Sequence, residues 1–346
     1  MSCKAVLAGT MALLLVIGTV AVMAQLPTAT ILGVIKDSTG AVVPNANLTA
    51  RNTETGQSRG TVAAADGSYR FSALPVGTYE VRVEQPGFQA AVRSGLTLTV
   101  SQEAVVHFSL EVGAIEQTVS VTAEAPLVNT TSGSLGGLVD EQRVADLPLN
   151  GRNFLSLTLL QPGVQEHTNR AQPGALAGTW FSSNGAPLRS NFYMLDGASM
   201  VNLYGGNSSS ISGTTLGVEG IREFRVATNS FSAEYGMAMG SQMLIVSKNG
   251  TNAFHGSLFE YLRNSALDAR NFFDYKVPRV NERRLPAFAK NNFGGSVGGP
   301  IREDRTFFHT VFEGVRERLG VTQLTNVMGA SCHGAAGATI TNVACP

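Results

Sequence analysis

Residues 294–298, Gly-Gly-Ser-Val-Gly, match the G-x-S-x-G pattern in which a serine nucleophile sits on a strand-to-helix elbow. That elbow needs a helix after the serine, and acid and histidine partners further on. Here Gly299-Pro300 follows at once, and the alternation around Ser296 places it on a strand face. A hydrolase is not expected. The histidines, His107, His167, His255, His309 and His333, form no H-E-x-x-H or other closely spaced ligand pair, so the sequence predicts no metal site. There is no P-loop and no dinucleotide fingerprint. The expectation is a protein that is not an enzyme and holds no cofactor.

Composition points the same way. Twenty-five basic and 25 acidic residues give a net charge of +0, which offers nucleic acid no electrostatic footprint. Only 14% of residues are charged, against roughly 25% in ordinary soluble domains. With 38 glycines besides, the profile is that of an exported, turn-rich β protein. The N-terminus agrees. Lys4 precedes an apolar run from Ala5 to Met23, and Val22-Met23-Ala24 forms a small-residue cleavage site before Gln25. Residues 1–24 read as a cleavable signal peptide, the alternative being an uncleaved anchor of about 20 residues. Cys3 lies ahead of the apolar run, so a lipoprotein is not indicated.

Residues 28–112 read as a β-sandwich of about seven short strands. Tyr79, Val81 and Val83 alternate with Glu80, Arg82 and Glu84, the period of a strand with one buried face. Ser38-Thr39-Gly40, Asp66-Gly67, Pro75-Val76-Gly77 and Pro86-Gly87 supply the turns. Residues 113–126 form a linker holding a strand-competent stretch, Thr118-Val119-Ser120-Val121-Thr122-Ala123, stopped by Pro126. Such a stretch can add to a partner's sheet edge, close the sandwich as its last strand, or open the segment that follows as its first. Residues 127–252 mix α and β. One short helix is predicted over Asp140–Leu147, and Asn153 caps a second in which Leu155 and Leu159 sit at i, i+4 before Pro162-Gly163. The apolar run Met243-Leu244-Ile245-Val246 ends this segment, and long strands follow. Phe293 to Ile301 alternate with small and polar residues, and Arg302-Glu303-Asp304 makes a tight turn.

Several separated motifs resemble the TonB-dependent outer-membrane receptors, in the Oar-like branch with an N-terminal carboxypeptidase-regulatory-like domain. They are Ala65-Asp66-Gly67-Ser68-Tyr69-Arg70-Phe71, Leu147-Pro148-Leu149-Asn150-Gly151-Arg152-Asn153-Phe154, Asn191-Phe192-Tyr193-Met194-Leu195-Asp196-Gly197 and Val218-Glu219-Gly220-Ile221. Ser232-Ala233-Glu234-Tyr235-Gly236, Asn249-Gly250-Thr251-Asn252 and Phe254-His255-Gly256-Ser257 complete the set in the family's order. The resemblance implies a mostly β chain: a periplasmic sandwich, a plug over 127–252, and the start of an outer-membrane β-barrel over 253–346. It also implies a TonB box at Thr118–Ala123, a TonB-type energy-coupling partner and contact with membrane lipid.

On this reading the full-length protein imports a scarce ligand: a small molecule, siderophore, peptide or oligosaccharide. Trp180, Asn184, Tyr204 and Asn207 are candidates for ligand-facing plug loops, and Arg152 and Arg189 for pairing with acids on the barrel wall. Cys332 and Cys345 fall in an expected outer loop, where they form either a local disulfide or two free thiols. The stretch after Gly250 suffices for about four spanning strands, so an N-terminal fragment is expected. A competing reading is a non-transporting surface protein for adhesion or envelope organisation, with the sandwich contacting glycans.

Overall fold

The computed structural model describes residues 28–113, 118–122, 135–147, 149, 152–166, 181–200, 216–229, 235–236, 239–269 and 287–320. The expected signal peptide lies outside them. The chain divides into two compact units: residues 1–258 with 294–313, and 259–293 with 314–346.

In the first unit the N-terminal part contains β1 (Thr28–Asp37), β2 (Asn47–Asn52), β3 (Ser58–Val62), β4 (Ser68–Pro75), β5 (Gly77–Glu84), β6 (Ala90–Leu98), β7 (Glu103–Val105), β8 (Phe108–Leu110) and β9 (Thr118–Thr122). They form two sheets. In one, β1 lies between β4 and the short parallel strands β7 and β8; the other runs β3-β2-β5-β6-β9. Strict alternation explains the packing: every second residue of β5 (Gly77, Tyr79, Val81, Val83) is buried, and the residues between are half-exposed. Ile31, Ile35 and Phe71 from one sheet and Leu48, Val81 and Leu98 from the other close a shared core.

The turns rest on the residues that predict them. The Asp37 carboxylate accepts the Thr39 and Ala41 amides at 2.8 and 2.9 Å, leading into Gly40 at φ +88°. Asp66 does the same for Ser68 at 2.9 Å, with Gly67 at φ +72°. Both carboxyls are held below the usual range, chiefly by the hydroxyls of Thr39 and Ser68.

One element differs in role from a plain linker. β9 pairs in parallel with β6, Ala90 to Ser94 opposite Thr118 to Thr122, and forms the edge of the second sheet. Thr118–Thr122 thus joins the sandwich as an edge strand.

The middle segment holds β10 (Leu135–Val139), α1 (Glu141–Asp146), β11 (Val164–Glu166), β12 (Phe181–Ser183), β13 (Phe192–Leu195), β14 (Ala198–Ser199), β15 (Ile221–Asn229) and β16 (Gln242–Ser247). Its sheet runs β10-β15-β16-β13-β14, and β11 and β12 pair as a separate hairpin. The Asp140 carboxylate accepts the Arg143 amide and so starts α1 where the sequence predicts. The second predicted helix forms as a 3-10 helix, Phe154–Leu160, capped by Asn153 through the Leu155 amide. Its tighter winding brings residues i and i+3 together. Phe154, Leu155, Leu157 and Thr158 are therefore buried, while Leu159 is only half-buried, correcting the i, i+4 stripe.

β16 explains its unbroken apolar run. Met243 and Ile245 enter the middle segment's own core with Phe224 and Val226, while Leu244 and Val246 pack with Val76 and Val100 of the N-terminal domain. A strand covered on both faces reads as a continuous hydrophobic run.

β17 (His255–Asn264), β18 (Phe288–Arg302) and β19 (Thr306–Leu319) pair in that order, and Arg302–Arg305 makes the tight turn. In the second unit, Lys290 pairs with Glu317 at 2.9 Å, and the Arg263 guanidinium lies over the Phe288 ring. No helix among the described residues is long and apolar enough to cross a membrane, which says nothing of a β-barrel.

Phe71 is 1% exposed in the sandwich core, so Phe71→Ala should destabilise the chain by about 3–5 kcal/mol in urea unfolding.

Candidate functional site

Two groups of buried charge hold the middle segment, one against the N-terminal domain and one against the strands that follow. The first begins in the loop between β2 and β3. Asn52, 4% exposed, accepts the amides of Glu54 and Thr55 at 2.9 and 3.0 Å and so shapes the loop that presents Glu54. The Glu54 carboxylate meets Arg222 on β15 in a two-pronged pair, both contacts 3.0 Å. Beside it, the turn after β6 delivers the Val100 amide to Glu223 Oε1 at 2.6 Å, and Arg225 reaches the Val100 and Ser101 carbonyls at 3.4 Å. Ser101 and Tyr235 share a hydroxyl–hydroxyl bond.

Glu223 is 6% exposed. Burial pushes its carboxyl up to about 7, against the pull of the Val100 amide and of Arg222 and Arg225. A register shift in β15 between Ile221 and Glu223 breaks the simple alternation, with Glu223 and Phe224 consecutively buried.

The second group lies on the inner face of β17–β19. Arg152 donates to Glu219 at 3.0 Å and stands 3.6 Å from Glu313 of β19, with all three side chains largely buried. Ser257 of β17 donates to the other oxygen of Glu219 and lies 3.0 Å from Ser296 of β18. Burial would raise the Glu219 carboxyl, but the Ser257 hydroxyl and Arg152 outweigh it and hold it low. Contact is close: a side chain at Gly217 would collide with the Glu313 carboxylate. On the opposite face Leu258, Val297, Ile301 and Phe312 are exposed, Leu258 at 93%.

Arg152 thus meets an acid on a following strand, as the sequence suggests, whereas the Arg189 side chain is outside the described residues. Ser296 sits on a strand with Ser257 as its neighbour, in place of the elbow its motif resembles. Thr118, Val119, Ser120, Val121 and Thr122 lie in β9. Asn184 is exposed, and its amide donates to the Thr228 carbonyl at 2.9 Å. Ala123, Trp180, Tyr204, Asn207, Cys332 and Cys345 lie outside the described residues.

Sequence reasoning missed Glu54, Arg222, Glu223 and Glu313. The only signal was the cluster Arg222-Glu223-Phe224-Arg225 inside a strand, where so many charges need partners on both faces. The sandwich also has an open groove of about 480 Å³, lined in part by Leu32, Val62, Arg70 and His107. Its polar groups are engaged: Arg70 pairs with Glu103 at 3.1 Å, and His107 accepts the Val34 amide at 3.2 Å.

Two outcomes follow from these geometries. Because the Glu223 carboxyl is raised from 4.5 to about 7 in the folded chain, folding favours its neutral form. That contribution is fully present below pH 4.5 and is lost as pH rises through about 7. Unfolding free energies measured in denaturant from pH 5 to 8 should fall more steeply for the native chain than for Glu223→Gln, by a difference on the order of 2 kcal/mol. Arg152→Ala leaves Glu219 and Glu313 buried without their shared cation and should cost roughly 3 kcal/mol in denaturant unfolding.

Comparison with known proteins gives these positions a context. Residues 30–111 match the carboxypeptidase regulatory-like domain, and residues 246–342 match the outer membrane beta barrel domain. The TonB-dependent transporter Oar of Myxococcus xanthus is 26% identical over 288 residues, covering 79% of this chain and 25% of that protein. This chain therefore spans about a quarter of that relative's length. Among solved structures, the siderophore receptor PirA from Acinetobacter baumannii aligns with 55% of this chain and 26% of its own, at 19% identity and a TM-score of 0.39. Hydroxyquinol 1,2-dioxygenase from Pseudomonas putida aligns with 25% of this chain and 56% of its own, at 12% identity and a TM-score of 0.21. The chain is similar to the TonB-dependent transporter Oar, is mostly β, and matches a carboxypeptidase regulatory-like domain ahead of a match to an outer membrane beta barrel domain.

Proposed function

We propose that this chain is the N-terminal portion of a TonB-dependent outer-membrane receptor that binds an extracellular ligand and imports it with energy from a TonB-type protein. One observation carries the reading. β17–β19 expose an apolar face, Leu258, Val297, Ile301 and Phe312, while their other face meets the middle segment through Arg152, Glu219, Ser257 and Glu313. Apolar outside and polar inside is the pattern of a transmembrane barrel wall, and a polar, charge-paired filling is what a plug requires. On this reading the middle segment is the plug, the outer face meets lipid, and the sandwich sits in the periplasm after a signal peptide has been removed. The protein acts as a carrier and not as an enzyme. The likeness to Oar supports the outer membrane as its place and a TonB-type protein as its partner.

The coupling stretch is Thr118 to Ala123. Within it β9 already spends backbone hydrogen bonds on β6. An edge strand is the part of a sheet that exchanges partners most readily, since it is bonded along one side only. Handing β9 from β6 to a partner's sheet edge would trade one set of backbone bonds for another.

Proline at Val119 and Val121 removes two backbone donors from this stretch. The purified C-terminal domain of a TonB-type protein should retain the native chain on a column and lose the double variant. Equal retention of both would exclude residues 118–123 as the coupling contact. In the native chain, hydrogen exchange at residues 118–122 should be slow without that partner domain and remain slow with it, as the strand passes between sheets.

A further inference from the structure

One loop of the N-terminal domain touches three parts of the chain that lie far apart in sequence. It runs from Asn52 to Gly56, between β2 and β3, and its backbone is tied down. The Asn52 side chain already holds two of its amides. In addition, the Asn52 carbonyl accepts the Gly56 amide, and the Thr78 carbonyl accepts the Thr53 amide, both at 2.9 Å. Gly56 closes the turn at φ +71°, where a side chain would strain the backbone. A loop bonded internally in this way presents its tip in one orientation.

Glu54 stands at that tip and acts in two directions. Its carboxylate grips Arg222 of β15, with the Thr78 hydroxyl behind it at 3.3 Å. Its main-chain carbonyl accepts the Asn252 amide at 2.9 Å, in the connection from β16 to β17. Asn252 is in turn bonded reciprocally to the turn between β18 and β19. Its side-chain amide donates to Asp304 Oδ1 at 2.8 Å, and its Oδ1 accepts the Asp304 amide at 2.9 Å. The Asp304 carboxylate also packs directly on Gly56, where any side chain would collide with it. The ring of contacts therefore closes: Glu54 holds Asn252, Asn252 holds Asp304, and Asp304 rests on the loop that carries Glu54. Asn252 is the last residue of the Asn249-Gly250-Thr251-Asn252 motif, which the transport reading leaves without a task.

Hydrogen bonds are directional, unlike the apolar contact of Val76 and Val100 with Leu244 and Val246, which tolerates sliding. We propose that the Asn52–Gly56 loop is a clasp. It fastens the middle segment and the β18–β19 turn to the N-terminal domain together, so that neither is released without the other. The consequence for function rests on the transport reading: the middle segment cannot shift against the β18–β19 turn until the N-terminal domain lets go of both. The clasp itself is read from contacts within the first unit, and its test uses neither a ligand nor an energy-coupling partner.

Hydrogen exchange of two amides, in the full chain purified in detergent, reads the two sides of the clasp separately. The Val100 amide, which donates to Glu223, reports the seat on β15; the Asp304 amide, which donates to Asn252, reports the turn. Glu54→Gln weakens the grip on Arg222 and leaves in place every atom that holds the Asp304 amide. It should nevertheless speed exchange at Asp304 about tenfold, as well as at Val100. Asp304 sits at φ +59°, which glycine adopts freely, so Asp304→Gly removes the carboxylate without straining the turn. That variant keeps Glu54, Arg222 and Val100 intact and should speed exchange at Val100 by a similar factor. Gly56→Ala, which drives a methyl into the Asp304 carboxylate, should loosen both sides. Arg70→Ala, in the other sheet of the sandwich, should change neither. Each variant disturbing only its own side would overturn the clasp, as would Arg70→Ala loosening both sides equally. Should Glu54→Gln fail to fold, Asp304→Gly carries the test, and the reverse, since each reads a side it does not touch.

Discussion

A single strand buried on both faces fixes the arrangement of the first unit. β16 contributes Met243 and Ile245 to one core and Leu244 and Val246 to another. Because alternate side chains of a strand point to opposite faces, the four apolar residues in a row must be covered by two different partners. The middle segment's helix and loops cover one face, and the N-terminal domain covers the other. Burying four aliphatic side chains is worth roughly 1.5–3 kcal/mol each, and half of that is available only when the sandwich is seated. The N-terminal domain is therefore part of the middle segment's core and not a bead on a string.

Charge sets how that seating is made specific. An apolar patch alone would tolerate sliding, whereas the two-pronged Glu54–Arg222 pair and the Val100 amide on Glu223 admit one register. Burying Glu223 is unfavourable in its ionised form, which is why its carboxyl titrates near 7. The second charged group obeys the same rule with the opposite outcome. Glu219 is kept ionised because Arg152 and Ser257 both serve it. Two carboxylates only a few positions apart in sequence thus have their protonation set in opposite directions by their surroundings.

The sheet of β17–β19 shows how far local pattern reaches. Leu258, Val297 and Phe312 alternate outward while Ser257, Ser296 and Glu313 turn inward, leaving one face apolar and the other polar. Glycines on β18 let flanking side chains approach over the strand, and at Gly298 this space is what allows His255 and His309 to meet.

Much of this was legible in the sequence. The sandwich strands, the Asp37 and Asp66 turns, the Asp140 cap and the tight turn at Arg302–Arg305 all depend on residues within a few positions of one another. Periodicity and side-chain-to-backbone bonding encode those features directly. What tertiary structure alone decided was pairing across long separations. Whether Thr118–Thr122 ends the linker or the sheet depends on a free edge at β6, which no property of the stretch itself reveals. Glu223 is buried because a bulge interrupts the alternation and because Val100, far back in the chain, supplies a donor. Asn153 announces a helix, but packing chose the tighter 3-10 winding. His255 and His309 look unrelated until two strand registers bring them over the same glycine. Local chemistry fixes the elements because its partners are close in the chain, and only the fold can choose partners that are not.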